Sequence, residues 1–297
     1  MIRPNSQTGI ALIQVLLISL IISLLAIQFS VTAGDQVEMA QSFQNRVNSQ
    51  IEAHSVFSEI IFSQLSAMIS PEVAADISLV QKIQNKQNRF GEYVRWNENV
   101  ILRVQDLNGL LPQLYPSHAL WRVVLEKYGL DDKSIESYLG VWQDFQDPDV
   151  KSWRLGAVEP DFLPSGQRYL DGYAQTDHVL RWVFSDDPQL TDFLLSISDV
   201  HAPFDTSILN APQTLLDNLF EPDVSNLIQR SRNVDPRKLP VINELIPAAM
   251  KRENIYIHNS PYQKIDVLIN SNGREWQQSW VVLLDLDQAP HFLMIRN

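Results

Sequence analysis

The sequence predicts an α+β protein in which one long N-terminal helix packs on a small antiparallel sheet, with a large helical domain inserted between the strands. Three observations lead to this prediction. Apolar residues recur at helical spacing from Ile10 to Ile69. Segments rich in β-branched and aromatic residues lie near residues 93–106 and again near residues 264–285. Helical patterns fill residues 110–234, between these two groups of strands.

The first part of the long helix has the composition of a membrane span. No ionisable side chain occurs from Thr8 to Gly34, and a bilayer core of roughly 30 Å needs about 20 mainly apolar residues in a helix. Arg3 precedes this run, whereas Asp35 and Glu38 follow it. The positive-inside rule therefore predicts that the first nine residues lie in the cytoplasm and that the rest of the chain is exported.

Two other interpretations of this segment are weaker. A cleaved secretory signal peptide has a shorter apolar core followed by a small-x-small site, whereas here the run has full membrane length and Ala33-Gly34 lie beyond it. A plain single-pass anchor would leave Gly9 without a role.

Composition excludes several classes of function. The chain has 297 residues and a formal charge of -12, with 23 Lys and Arg against 35 Asp and Glu. Nucleic acid is not an expected partner, because phosphate binding needs a concentrated basic surface. The six His are scattered, Cys is absent, and no Gly-x-Ser-x-Gly or His-Glu-x-x-His motif occurs. We therefore expect a protein that is not an enzyme.

Beyond the apolar run the helical pattern continues without Gly or Pro from Asp35 until Pro71. We expect the apolar residues of this outer part to be buried under the chain's own head domain. Examples are Phe43, Val47 and Ile51. Contact with a partner protein is the alternative.

The remaining elements follow from local patterns. Strands are predicted at 93–96, 100–106 and 291–296, and a hairpin at 264–285 is predicted around Ser271-Asn272-Gly273, since Asn-Gly favours a tight turn. Asp131 or Asp132 is expected to cap one helix, and Pro212 and Pro222 suit first-turn positions. Predicted helices of the central block run over 118–128, 132–145, 177–184, 188–196, 212–220 and 222–232.

The junction before the apolar run resembles the class III signal of type IV pilin-like proteins. A short polar leader ends in Gly9, Ile10 follows it, and the helix continues in amphipathic form beyond the membrane. The resemblance implies that a prepilin peptidase cuts after Gly9 and methylates the new amino terminus of Ile10.

The fifth position after that cut departs from the resemblance. Most pilin-like subunits have Glu there, and its carboxylate pairs with the amino terminus of the subunit ahead, whereas this chain has Gln14. An amide is easier to hold in hydrocarbon than a carboxylate, but it cannot neutralise an ammonium group. A subunit at the tip has no subunit ahead, so Gln14 fits a tip position. A tolerated polar residue is the alternative.

Several segments behind this leader resemble the minor pseudopilin K family of the type II secretion system, in matching order and over nearly the whole chain. They are VQDLNG at 104–109, WQDFQDPD at 142–149, GAVEPDF at 156–162, DHVLRWV at 177–183 and FDTSILNAP at 204–212. The chain departs from that family in lacking cysteine and in having Asp205-Thr206-Ser207 where Asn residues are usual.

The resemblance implies a pilin-like organisation in six parts. They are a cytoplasmic leader (1–9), the transmembrane half of the helix (10–33), its periplasmic half (34–70), a first β region (71–109), the inserted helical domain (110–234) and a C-terminal β region (235–297). The protein would be anchored by one span in the inner membrane of a Gram-negative bacterium, with its C-terminal domain in the periplasm.

The function implied is non-enzymatic. A minor pseudopilin of this kind forms or caps the tip of the periplasmic pseudopilus and nucleates its assembly. The implied partners are other minor pseudopilins, the major pseudopilin, prepilin peptidase and the inner-membrane secretion platform. A minor pilin of a type IV pilus and a stand-alone membrane-tethered periplasmic binding protein are the alternatives.

Five carboxylates follow one predicted helix within a loop broken by Pro and Gly. Calcium takes six to eight oxygen ligands from such loops, and the resemblance also implies calcium. The spacing is not that of an EF-hand, and a merely solvated acidic loop is the alternative. The candidate ligands are Asp144, Asp147, Asp149, Glu159 and Asp161.

Overall fold

The computed structural model of this chain has the predicted α+β architecture. It describes residues 7–69, 88–114, 116–147, 152, 172–232, 255–256, 260–271, 273–284 and 291–295. A long helix, a five-stranded sheet and a mainly helical block occupy these ranges.

The N-terminal helix, α1, runs without interruption over Gln7–Ile69, a length of 63 residues. It meets the rest of the protein only near its C-terminal end among the described residues, where Ala53, Val56, Phe57 and Ile60 are buried. These side chains recur at three- and four-residue steps, so they lie on one face of the helix. The Phe57 ring stacks on the Trp280 ring with 4.5 Å between their centroids.

The head is built on one antiparallel sheet of order β1-β2-β7-β8-β9. Its strands are β1 (Phe90–Arg95), β2 (Val100–Asp106), β7 (Tyr262–Ser271), β8 (Arg274–Leu283) and β9 (His291–Ile295). Alternate residues of the central strands face α1 and are buried, as Val100, Leu102 and Val104 show in β2. The sheet therefore presents one apolar face to the helix.

The predicted strands are present, with small shifts at their ends. β1 begins at Phe90 rather than Tyr93 and has an irregular register between these two residues. β7 and β8 form the predicted hairpin, in which Ser271 pairs with Arg274 and Gly273 adopts a positive φ of 74°. Only Gly adopts this conformation without steric cost.

The inserted block leaves and rejoins the sheet at neighbouring strands, because β2 pairs with β7. Its helices are α2 (His118–Tyr128), α3 (Asp132–Gln146), α4 (His178–Val183), α5 (Pro188–Ile197), α6 (Gln213–Leu219) and α7 (Pro222–Ser231). Asp131 caps α3 by accepting a hydrogen bond from the Ser134 N–H, and Pro222 lies in the first turn of α7, as predicted. The first-turn prediction is wrong for Pro212: it is the N-cap residue of α6, in extended conformation, and Gln213 begins the helix.

The block also contains short strands that periodicity did not predict. β3 (Leu111–Pro112) pairs in parallel with β4 (Ser198–Asp199), and β5 (Thr206–Ser207) pairs in parallel with β6 (Ile255–Tyr256). Two-residue strands carry too little alternation to be recognised in a sequence. β6 follows the predicted block boundary at residue 235, yet Ile255 packs in the core of the block.

That core is separate from the one between α1 and the sheet. The indole N–H of Trp121 donates to the Pro112 carbonyl oxygen (3.2 Å), and that of Trp142 donates to the Gln113 carbonyl oxygen (3.0 Å). Both tryptophans are fully buried, so the segment around β3 runs through the centre of the block and orders α2 and α3 around it.

Candidate functional site

The predicted processing site lies within the first turns of α1. Gly9 and Ile10 both belong to this helix, and Gln14 is exposed on its surface. Cleavage after Gly9, methylation of Ile10 and the role of Gln14 at the fifth mature position stay predictions.

The part of α1 that follows is apolar and unburied. α1 is the one helix among the described residues long and apolar enough to cross a membrane, although a signal sequence would pass the same test. Its large apolar side chains from Leu12 to Val31 are 51–77% exposed. The described part of the chain therefore supplies no cover for them.

Exposure continues beyond the predicted membrane span. Phe43 is 68% and Ile51 60% exposed, so the expected burial under the chain's own head is wrong for these two residues. Among the described residues, the head covers α1 from about Ser49 onward, and the apolar side chains that pack on the sheet begin at Ala53. Val47 is half-buried. Val37 and Met39 are also exposed along this stretch, and Phe62 is exposed on the outer side of the covered segment.

The predicted calcium ligands are only partly described. Asp149, Glu159 and Asp161 lie outside the described residues. Asp144 is buried near the end of α3 and accepts a hydrogen bond from the Ser152 hydroxyl (2.9 Å), and Asp147 is half-buried after that helix. Within the described ranges no cluster of three His, Cys, Asp or Glu residues could hold a metal. The calcium site stays a prediction.

The structure brings two of the family-like segments into direct contact at the base of the block. Asp106, the last residue of β2, is fully buried. One carboxylate oxygen accepts the Asn108 N–H (3.0 Å), and the other accepts the Ser260 N–H (2.9 Å) and the Asn210 side-chain amide (3.0 Å). The Gln105 side-chain amide donates to the Asn210 carbonyl oxygen (2.9 Å). We call Gln105, Asp106, Asn210 and Ser260 the hub.

Burial governs the protonation of the hub carboxyl group. Desolvation raises the pKa of Asp106 to about 6, and the N–H groups of Ser260 and Asn108 together with the charge of Arg89 oppose it only in part. Asp106 is therefore mostly ionised at pH 7, where it can accept all three hydrogen bonds.

Gly109 allows the Asn210 backbone to lie close to the turn that follows β2. A Cβ atom on Gly109 would overlap the Asn210 carbonyl group and approach the Gln105 side-chain amide. Any larger residue at position 109 would therefore push the Asn210 segment away from the end of β2.

A second polar contact joins the block to β7. The Lys264 ammonium lies 2.6 Å from an Asp199 carboxylate oxygen and 3.4 Å from one of Asp177. Asp177 also accepts the Val200 N–H (3.1 Å), and Asp199 accepts the His201 N–H (2.8 Å). We call Lys264, Asp177 and Asp199 the triad.

The charges of the triad depend on one another. Burial alone would lower the pKa of Lys264, but the carboxylates of Asp199 and Asp177 raise it above its usual value. Burial, followed by the charge of Asp199, raises the pKa of Asp177. The ammonium is thus held in its charged form between two carboxylates.

Sequence patterns identified only part of these contacts. Asp106, Asn210 and Asp177 lie in segments that resemble the pseudopilin family, but their partners were not predictable. Lys264 reads as an ordinary polar residue on a strand, and Asp199 follows a predicted helix without any motif. Their meeting depends on the tertiary fold.

Comparison with known proteins supports the fold. No protein-family model and no curated protein matches the sequence. The structure is similar to a chain in the crystal structure of the GspK-GspI-GspJ complex from the enterotoxigenic Escherichia coli type 2 secretion system, with a TM-score of 0.57 at 12% identity. The likeness covers 86% of this chain and 97% of that chain. Since the uncovered part is far shorter than the inserted block, the likeness includes much of the block.

Proposed function

We propose that this protein is a minor pseudopilin of the type II protein secretion system, which forms or caps the tip of the periplasmic pseudopilus and nucleates its assembly with other minor pseudopilins. The observation that carries the proposal is the fold, which is shared with a chain of the GspK-GspI-GspJ complex over 86% of this chain. The likeness in fold agrees with the family-like segments of the sequence. The role is structural and not enzymatic.

The exposed apolar surface of α1 supports an assembly role. Side chains such as Phe43 and Ile51 lie beyond the predicted membrane span, where lipid does not cover them. Exposed apolar patches on a soluble surface mark interaction sites. We infer that the helices of other minor pseudopilins and of the major pseudopilin cover this surface.

The helical block and Gln14 support a tip position. The block has its own core, separate from the core between α1 and the sheet. Its bulk would hinder lateral stacking of identical heads in a filament. Gln14 cannot supply the carboxylate that would neutralise the amino terminus of a subunit ahead. The inner membrane of a Gram-negative bacterium, with the head in the periplasm, is the location that follows.

Processing of the leader tests the class of protein. Co-expression of the full chain with a prepilin peptidase should shorten it by nine residues and leave a methylated Ile10, which intact-mass spectrometry detects. Gly9→Ala should prevent the cut, whereas the matched change Gly34→Ala, further along the same helix, should not. An unshortened wild-type product would contradict both a pseudopilin and a type IV minor pilin.

Partner choice then separates secretion from pilus assembly. The full chain should co-purify from detergent with minor pseudopilins of a type II system, and the double change Phe43→Ser with Ile51→Ser should weaken this association. Ile101→Ser with Leu227→Ser, which alters exposed apolar side chains elsewhere in the head, is the control. Co-purification with type IV pilus subunits alone would favour the minor-pilin alternative.

Calcium binding by the acidic segment is a separate part of the proposal. Isothermal titration of the full chain in detergent should detect calcium at millimolar concentration, and Asp144→Asn with Asp147→Asn should reduce the heat. Asp186→Asn with Asp192→Asn, two acids elsewhere in the block, is the matched control. No heat in the wild-type protein would remove calcium from the proposal.

A further inference from the structure

We propose that the hub and the triad together form a polar joint that holds the helical block in one fixed orientation on the sheet. The joint connects five chain segments: the end of β2, the residue before α4, β4, the segment before α6 and the start of β7. This inference concerns the head itself and does not rest on the proposed function.

Apolar packing alone is a weak determinant of that orientation. The core of the block and the core between α1 and the sheet are separate clusters. Within the described residues, a third cluster has four buried members from the end of β2, the block and β8: Leu107, Leu110, Ala202 and Val281. Burial of apolar surface is non-directional, so this small contact would tolerate some rotation of the block.

The hub does not tolerate such a rotation. Asp106 is fully buried and ionised at neutral pH, and donors from the block side and the β7 side must both reach it. Hydrogen bonds weaken steeply with poor geometry. A buried carboxylate that lost these donors would be left without hydrogen bonds, which is strongly unfavourable, so tilted arrangements are disfavoured.

The triad supplies a second point of attachment. Lys264 points from β7 to Asp177 before α4 and to Asp199 in β4, so it spans the sheet and two parts of the block. The triad lies beside the hub, since Lys264 is the register partner of Gln105 across β2 and β7, and it adds the Asp177 and Asp199 segments of the block to the contact.

Distance measurement between spin labels tests the joint in the full chain in detergent micelles. The protein has no cysteine, so Ile101→Cys on the sheet and Leu227→Cys on α7 give two unique labelling sites, both exposed. The wild-type joint should give one narrow distance distribution. Asn210→Ala combined with a neutral triad (Lys264→Met, Asp177→Asn and Asp199→Asn) should roughly double its width, as expected when a fixed interface becomes a hinge.

The control breaks an ion pair that does not cross the joint. Arg181 pairs with Asp192 within the block at 3.0 Å, so Arg181→Met should leave the distribution narrow. A narrow distribution in the joint variant, with its helical circular dichroism retained, would overturn the proposal. If the combined variant does not fold, Asn210→Ala and the neutral triad are measured separately. Partial broadening in each supports the joint, and narrow distributions in both overturn it.

Discussion

The two faces of the central sheet are covered by different kinds of contact. On one face, α1 packs apolar side chains such as Phe57 and Ile60 against alternate residues of the strands. On the other, the block meets the sheet through Lys264 and a small apolar cluster, and it also contacts Asp106 at the end of β2. The apolar face therefore supplies stabilisation, whereas the polar face selects one arrangement of the block.

The largest expected effect tests the apolar face. Ile60 is fully buried against the sheet, whereas Ile51, nine residues earlier on α1, is 60% exposed. Ile60→Ala should lower the free energy of unfolding by about 2–5 kcal/mol, because a cavity remains, while Ile51→Ala should change it by less than about 0.5 kcal/mol. Urea unfolding of the full chain in micelles measures both. Equal losses would contradict the assignment of the contact to the segment from Ala53 to Ile60.

The second expected effect is a pH dependence that arises from Asp106, where the block meets the end of β2. The pKa of Asp106 is about 6 in the folded protein and about 4 in an unfolded chain. Between these values the folded state holds a proton that the unfolded state has released. The contribution of Asp106 to stability is therefore fully present below pH 4 and is lost as pH rises through 6, by about 3 kcal/mol at most.

Asp106→Asn isolates this contribution. As pH rises from 4 to 6.5, the unfolding free energy of the wild type should fall relative to that of the variant. Above pH 6.5 the difference between the two should stay constant. Arg181→Met, which alters an exposed pair, should show no such change over this interval. A constant difference between wild type and Asp106→Asn would contradict a raised pKa at the hub.

A smaller effect tests the close approach at the joint. Gly109→Ala should destabilise the protein by about 1–3 kcal/mol, because the new Cβ overlaps the Asn210 backbone in a packed site. Gly34→Ala meets no atom within 4 Å on α1 and should be neutral or stabilising by up to about 1 kcal/mol. Thermal unfolding followed by circular dichroism compares the two, and similar shifts in Tm would contradict a tight contact at Gly109.

Much of the fold could be predicted because its signals are local. The α2 helix has the predicted bounds, and α3 extends one residue beyond its predicted end. Both could be predicted because apolar spacing and capping residues such as Asp131 act within a few turns. The β7–β8 hairpin follows from alternation around Asn272-Gly273. The two-residue strands β3 to β6 were missed, since each is too short to show a period.

The candidate sites likewise differ in whether a local sequence pattern marks them. The Gly9-Ile10 junction and Gln14 could be named from a short motif, and their roles stay predictions. The hub could not be predicted from the sequence, because Asp106 lies 104 positions from Asn210 and 154 positions from Ser260 along the chain. No local pattern reports which polar side chains will meet across such distances.

The sequence by itself determined the long helix, the strands that frame the insertion and most helices of the block, because hydrophobic period and capping residues act within a few turns. Only the tertiary structure decided where the head ends along α1. An apolar side chain that its own chain buries and one that stays exposed have the same hydrophobic pattern, so Ile60 and Ile51 could be told apart only by the position of the sheet. The tertiary structure likewise paired Lys264 with its two carboxylates, since this partly buried contact depends on the close approach of segments that the local sequence does not encode.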